Sequence, residues 1–128
     1  MVLLIAGSRD FNDYNTLSRV CDKILEKYNP YDVTIVSGGA RGADTLAIHY
    51  AKNKHTKLRI FPAQWDVYGK SAGYRRNEEM QQYIAKFPNR MVICFWDGIS
   101  RGTQHNFGLC EKYNTPLKVF LYKENRFM

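Results

Sequence analysis

Short apolar runs alternate with segments whose apolar residues recur at helical spacing, and this alternation limits the chain to a layered α/β fold with a mainly parallel sheet. Strands are expected at Val2–Ala6, Val33–Ser37, Leu58–Phe61, Met91–Trp96 and Leu117–Tyr122. Between them, Leu17, Val20, Cys21, Ile24, Leu25 and Tyr28 form one helical stripe. Ala43, Leu46, Ala47, Tyr50 and Ala51 form a second, and Met80, Tyr83, Ile84 and Phe87 a third. A fourth, less periodic helix is expected near Thr103–Tyr113. Asp13 is placed to cap the first helix, and Asn29-Pro30 to stop it.

Charge within the strand runs suggests their order. The first and fourth runs carry no charged residue, whereas the third contains Arg59 and the fifth Lys118. Fully covered central strands read as continuous apolar runs, and edge strands tolerate charge. The five-stranded order 3-2-1-4-5 is therefore favoured over 2-1-3-4-5. The topological switch point then falls between strands one and four, where ligands bind outside the carboxyl ends.

With 128 residues, 45% of them apolar, the chain can fill one core, so residues 1–128 are expected to form a single domain. No apolar run approaches the ~18 residues of a membrane span, and Met1 leads straight into a strand-like run without a secretion signal. Cys21, Cys94 and Cys110 are odd in number and lack metal-ligand spacing, so reduced thiols in a cytoplasmic protein are expected. His49, His55 and His105 are scattered, and neither a metal site nor a cofactor is expected. The net charge of +7 favours an anionic partner, polymer or small phosphate.

The distinctive chemistry falls in the loops after strands one to four. These read Gly7-Ser8-Arg9-Asp10-Phe11, then Ser37-Gly38-Gly39-Ala40-Arg41-Gly42-Ala43-Asp44. A long third loop from Pro62 holds Trp65, Tyr68 and Lys70 and leads into Tyr74-Arg75-Arg76-Asn77; the fourth is Asp97-Gly98-Ile99-Ser100-Arg101-Gly102-Thr103. Five of the nine arginines (Arg9, Arg41, Arg75, Arg76 and Arg101) sit here, while nine of the ten lysines lie elsewhere. A guanidinium offers a fixed fork of donors suited to phosphate. Gly38, Gly39 and Gly42 let backbone N–H groups approach an anion at the start of a helix, and Gly98 and Gly102 with the Thr103 hydroxyl repeat the arrangement. Trp65, Tyr68 and Tyr74 either stack on a base or plug the long loop against the sheet.

Sharper motifs fail. Gly69-Lys70-Ser71 resembles the end of a Walker A loop, but Gln64 stands where its first glycine is required. A dinucleotide fingerprint needs three glycines after the first strand, where only Gly7 stands. Gly98-Ile99-Ser100-Arg101-Gly102 fits a nucleophile elbow, yet no acid stands between Ser100 and His105, so no triad follows in that order.

Four segments together carry a family resemblance: Gly7–Phe11, Ser37–Asp44, Ala72–Asn77, and Phe95–Gly98 with Gly102-Thr103. They resemble the YspA-like branch of the SLOG superfamily. The resemblance implies a three-layer Rossmann-like domain that binds nucleotides or their derivatives, with the second and fourth loops on phosphate and sugar, and a homodimer among its partners. Relatives include phosphoribohydrolases that activate cytokinins, a DNA-processing protein acting on single strands, and sensors of NAD-derived signals. The phosphoribohydrolases carry an acid after the fourth-loop threonine, where this chain has Gln104, His105 and Asn106.

Three functions follow as expectations. In the first, a small phosphorylated nucleotide derivative, ADP-ribose-like or a cyclic signalling nucleotide, is sensed or sequestered. Its candidate contacts are Gly7, Ser8, Arg9, Ser37, Gly38, Gly39, Arg41, Gly42, Asp44, Trp65, Arg75, Arg76, Asn77, Asp97, Gly98, Ser100, Gly102 and Thr103. In the second, Asp44 or Asp97 is the acid that cleaves an N-glycosidic or phosphoester bond. In the third, the chain binds single-stranded nucleic acid.

Overall fold

Alternate residues of the central strands point to opposite faces of the sheet, and both faces are apolar, so both must be covered. The computed structural model, which describes residues 1–128, covers them with two helical layers. Strands β1 (Val2–Gly7), β2 (Thr34–Ser37), β3 (Lys57–Ile60), β4 (Arg90–Trp96) and β5 (Leu117–Leu121) are parallel. A short β6 (Arg126–Phe127) pairs antiparallel with β5. The sheet has six strands in the order β3-β2-β1-β4-β5-β6 rather than the five expected. The order 3-2-1-4-5 is nevertheless retained within it. Only two residues long, β6 has no periodicity of its own; it is recruited because Phe127 packs edge-on against Phe120, with ring centroids 5.1 Å apart.

Leu3, Ile5, Ile35, Ile93 and Phe95 face one layer. There they meet Leu17, Val20 and Cys21 of α1 (Tyr14–Leu25) and Ala43, Ala47 and Tyr50 of α2 (Ala43–Lys54). Their neighbours Leu4, Ala6, Val92 and Cys94 face the other, against Met80 and Ile84 of α4 (Ala72–Ile84) and Cys110 of α5 (Arg101–Lys112). Each fully buried Leu, Ile or Phe contributes about 2 kcal/mol. All three cysteines are free and buried. No helix is long and apolar enough to cross a membrane.

Local signals set the element ends. Asp13 caps α1, its Oδ1 accepting from the Thr16 amide at 3.1 Å and its Oδ2 from the Thr16 hydroxyl at 2.6 Å. The helix ends at Leu25, before the Asn29-Pro30 pair, which instead opens a 3₁₀ turn at Pro30–Asp32. The long third loop is more ordered than its sequence implies. Trp65–Tyr68 forms one helical turn, α3, followed by a 3₁₀ turn at Gly69–Ser71 that runs into α4. Helix α5 likewise starts at Arg101, two residues before the expected Thr103. These shifts move Gly73–Asn77 and Gly102 onto helices, and thereby onto defined faces.

Candidate nucleotide-binding site

Adjacent strands β1 and β4 send their chains to opposite faces of the sheet, β1 toward α1 and β4 toward α5. That divergence opens a crevice at their carboxyl ends. A cavity of about 490 Å³ fills it, within the ~300–1,000 Å³ range of small-molecule sites. Gly7, Ser8, Arg9 and Asp10 enter from the end of β1, and Ala40, Arg41 and Asp44 from the turn into α2. Helix α4 offers one face, Gly73, Arg76, Asn77 and Met80, spaced three or four apart. Helix α5 offers Gly102, Thr103 and Asn106 behind Ser100 and Arg101.

Polar groups buried without partners are costly, so their location is informative. Of the nine buried polar or charged residues, Ser8, Asp44, Arg76, Asn77, Thr103 and Asn106, six in all, line this one cavity. Arg9, Arg41 and Arg101 are exposed at the rim. Arg41 lies 3.8 Å from Asp10, and both are well exposed, so the pair contributes little to stability. Above the mouth, Trp65 is 49% exposed, with the Arg9 guanidinium 6.0 Å from its ring centroid.

Arg76 and Asp44 form the charged floor. Arg76 Nη1 donates to the Gly38 carbonyl at 2.6 Å and Nε to Asn77 Oδ1 at 3.0 Å. Asp44 Oδ2 accepts from the Ala40 amide at 3.2 Å. Burial pushes the Asp44 carboxyl up to about 6, against the pull of Arg76, the Ala40 hydrogen bond and Arg9. Burial also lowers the Arg76 guanidinium, with Asp44 opposing. Gly38 is required for the close approach of the two side chains, because a Cβ there would lie 2.6 Å from Arg76 Nη1 and 2.8 Å from Asp44 Oδ2.

Several candidate residues lie outside the cavity, each with another task. Ser37 is fully buried, donating to the Asp44 carbonyl at 2.8 Å and accepting from the Gly39 amide at 3.2 Å. Gly42 packs on the backbone of Ser8 and Arg9. Arg75 turns away from Arg76, donating from Nε to Ser71 Oγ at 3.1 Å and covering the Tyr68 ring at 4.3 Å. Gly98, at φ 87°, supplies the turn after β4 and faces nothing. Gly38 and Gly39 line an adjoining hollow instead.

Asp97, read from sequence as an acid, is a turn residue. Its Oδ1 accepts from the Ile99 and Ser100 amides at 2.9 and 2.8 Å, and its Oδ2 from Ser100 Oγ at 2.7 Å. Partial burial alone would raise its carboxyl, but these bonds hold it at about 2. The glycine-serine-glycine segment is therefore the start of α5 rather than a nucleophile elbow, with Ser100 committed to Asp97 and 3.3 Å from Ser8 Oγ. Asp97→Ala should cost ~1–2 kcal/mol in urea unfolding, as loss of a helix-start acceptor usually does. Loss of several times that would show a wider role than organising this turn.

Ala6, Asp10, Ala40, Lys70, Gly73, Tyr74, Met80, Arg101 and Asn106 also line the cavity. Gly73 and Met80 lie three and four residues from Arg76, and Asn106 three from Thr103; that spacing was the available signal for them, once α4 and α5 are extended to their true starts. The hydroxyl and amide donors, four arginines and half-exposed tryptophan suit an anion with an attached ring.

A family model described as YspA, cpYpsA-related SLOG family matches residues 1–68, which include both loops after β1 and β2. Gene 61 protein of Mycobacterium phage D29 is 33% identical over 125 residues, spanning 92% of this chain and 94% of its own. DNA processing protein A from Helicobacter pylori, a protein described for its single-stranded DNA binding mode, superposes with a TM-score of 0.64 at 22% identity. That match takes in 93% of this chain and 64% of the other. At such identity the likeness concerns the Rossmann-like fold.

Proposed function

The chain belongs to the YspA, cpYpsA-related SLOG family, and from that premise we propose that it binds a small phosphorylated nucleotide derivative in the cavity between β1 and β4. The observation that carries the reading is the collection of six buried polar side chains and four arginines around one hollow at the topological switch point. Phosphate would lie against Arg101, Arg9 and the first turn of α5, where Ser100 makes no side-chain cap and the leading amides are unspent. The base or sugar would lie toward Trp65 and Tyr74, both about half exposed. The function is capture, for sensing or sequestration, because the one acid on the floor, Asp44, is tied to Ala40 and faced by Arg76.

Titration calorimetry against AMP, ADP, ADP-ribose and cyclic nucleotides tests this reading. Binding of at least one is expected, with Arg101→Glu weakening it tenfold or more while leaving the unfolding curve near wild type, since Arg101 is exposed. Binding of none would overturn it.

One observation favours a second reading, single-stranded nucleic acid. Trp65 and Tyr74 are 49 and 46% exposed at the cavity on a chain of charge +7, and the Helicobacter pylori neighbour is described as a single-strand binder. The readings separate by salt. A strand contacting ~6 phosphates loses affinity roughly a hundredfold or more between 50 and 200 mM salt, whereas a mononucleotide loses only a few fold.

A further inference from the structure

The outermost strands of a sheet leave backbone donors and acceptors unpaired, and the two ends of this sheet differ in how they meet that problem. Beyond β5 the edge is taken up by β6. Beyond β3 nothing pairs, and Lys57, Arg59 and Ile60 are exposed. We propose that the β3 edge is a docking surface for an extended segment of a partner protein in which acidic and apolar residues alternate, added to the sheet as a further strand. This surface lies two strands out from β1 and is separate from the crevice between β1 and β4.

Register fixes what the edge offers. The Lys57 and Phe61 amides donate inward, to the carbonyls of Val33 and Ser37 at 3.0 and 2.9 Å. Backbone groups alternate in direction along a strand, so those of Arg59 also point inward and those of Leu58 and Ile60 point out. Side chains alternate as well. Lys57 and Arg59 share the face covered by α4, where the Arg59 guanidinium lies 4.9 and 4.8 Å from the ring centroids of Phe61 and Tyr83. Leu58 and Ile60 share the other face, Leu58 packed on the core there and Ile60 43% exposed beside Gly39. A strand laid against this edge meets cations on one face and apolar side chains on the other. It is complementary when its own residues alternate acid and apolar.

Charge selects the partner. Residues 45–65 hold Lys52, Lys54, Lys57 and Arg59 and no acid, so four of the net seven positive charges fall on α2 and β3. Lys54 pairs with Asp22, whereas Lys57 and Arg59 form no ion pair. A second copy of this chain is the wrong occupant. Edge against edge would set Lys57 and Arg59 opposite the same two residues, and like charges directly opposite are destabilising. The cations that keep the chain from pairing with itself attract a strand that carries carboxylates.

NMR titration of the isotope-labelled protein tests this, with short capped peptides as probes. One peptide alternates glutamate and valine, a second places the same glutamates before the same valines, and a third alternates lysine and valine. The first is expected to shift the Leu58 and Ile60 amides, to protect them from hydrogen exchange, and to bind about fivefold or more tighter than the other two. Lys57→Glu should remove its preference over the lysine peptide, with the urea unfolding curve near wild type because Lys57 is exposed. N-methylating the first peptide at every valine or at every glutamate tests the strand itself, and holds even if Lys57→Glu fails to fold. Each pattern removes the donors along one edge of the added strand, so only one of the two should abolish binding. Equal binding by the alternating and blocked peptides, equal binding by the two methylated peptides, or no shift at Leu58 and Ile60 would overturn the proposal. The cations would then serve only to keep the edge unpaired.

Discussion

Gly42→Ala is expected to lower stability by about 3 kcal/mol, combining ~1–3 kcal/mol of backbone strain with displacement of packed neighbours. Gly42 sits at φ 83° and ψ −130°, a region open essentially to glycine. Its missing Cβ leaves room for the carbonyls of Ser8 and Arg9, which a methyl would approach to 2.4 and 2.5 Å. The Ser8 carbonyl cannot rotate away cheaply, because it also accepts from the Ala43 and Phe11 amides. The substitution therefore pushes the start of α2 off the end of β1, and with it Asp44 and Arg41. Thermal unfolding should drop by roughly 10 °C. Gly98→Ala is the control. It has a similar φ of 87° but nothing within 4 Å, so only the strain should register. Equal losses at the two positions would show that packing against β1 is not what requires glycine at Gly42. Gly102 gives the opposite sign. It is helical and faces open space, so alanine there should stabilise α5 by ~0.5–1 kcal/mol while placing a methyl in the cavity.

The order of the first five strands was legible from charge, although only Arg59 marks an edge strand; Lys118 lies on β5, which β6 flanks on its outer side. So was the location of the crevice, since the switch point follows from that order. The roles of individual loop residues were not. Arg75 and Arg76 are neighbours of identical chemistry, and only the phase of α4 decides that one covers Tyr68 outside while the other anchors the floor. Asp44 and Asp97 look alike as acids after glycine loops. Three short hydrogen bonds within its own turn commit Asp97 to local structure, and burial sets Asp44 apart. Asn106 and Met80 went unnoticed because helix-face residues acquire a site only when two helices converge on it. What sequence leaves open here is helix phase and burial, both consequences of packing.

The buried acid makes a pH signature opposite in sign to those of Asp13, Glu78 and Asp97, whose carboxyls are held low by hydrogen bonds. Asp44 titrates at about 6 when folded and near its ordinary 3.8 when unfolded. Between those values the folded chain holds the extra proton, so stability falls as pH rises. The contribution is fully present below pH 3.8 and lost as pH rises through about 6, an effect of about 3 kcal/mol. Asp97 acts in the opposite sense: its contribution is present above pH 3.8 and lost as pH falls through about 2. Urea unfolding of wild type and Asp44→Asn at pH 4 and pH 7 isolates the first term. The amide keeps the acceptor for Ala40 but never ionises, so the variant should gain about 2 kcal/mol on wild type between the two pH values. Parallel pH profiles would mean that Asp44 ionises in the fold without cost, with Arg76 fully compensating its charge. The same titration bears on the ligand, because a phosphate brought against Arg9, one of the cations that lower the Asp44 carboxyl, offsets that pull and favours the protonated form. Binding of ADP-ribose, which has no terminal phosphate to titrate near pH 6, should then take up protons near pH 6 in wild type and strengthen as pH falls toward it, and Asp44→Asn should bind it with a flat profile.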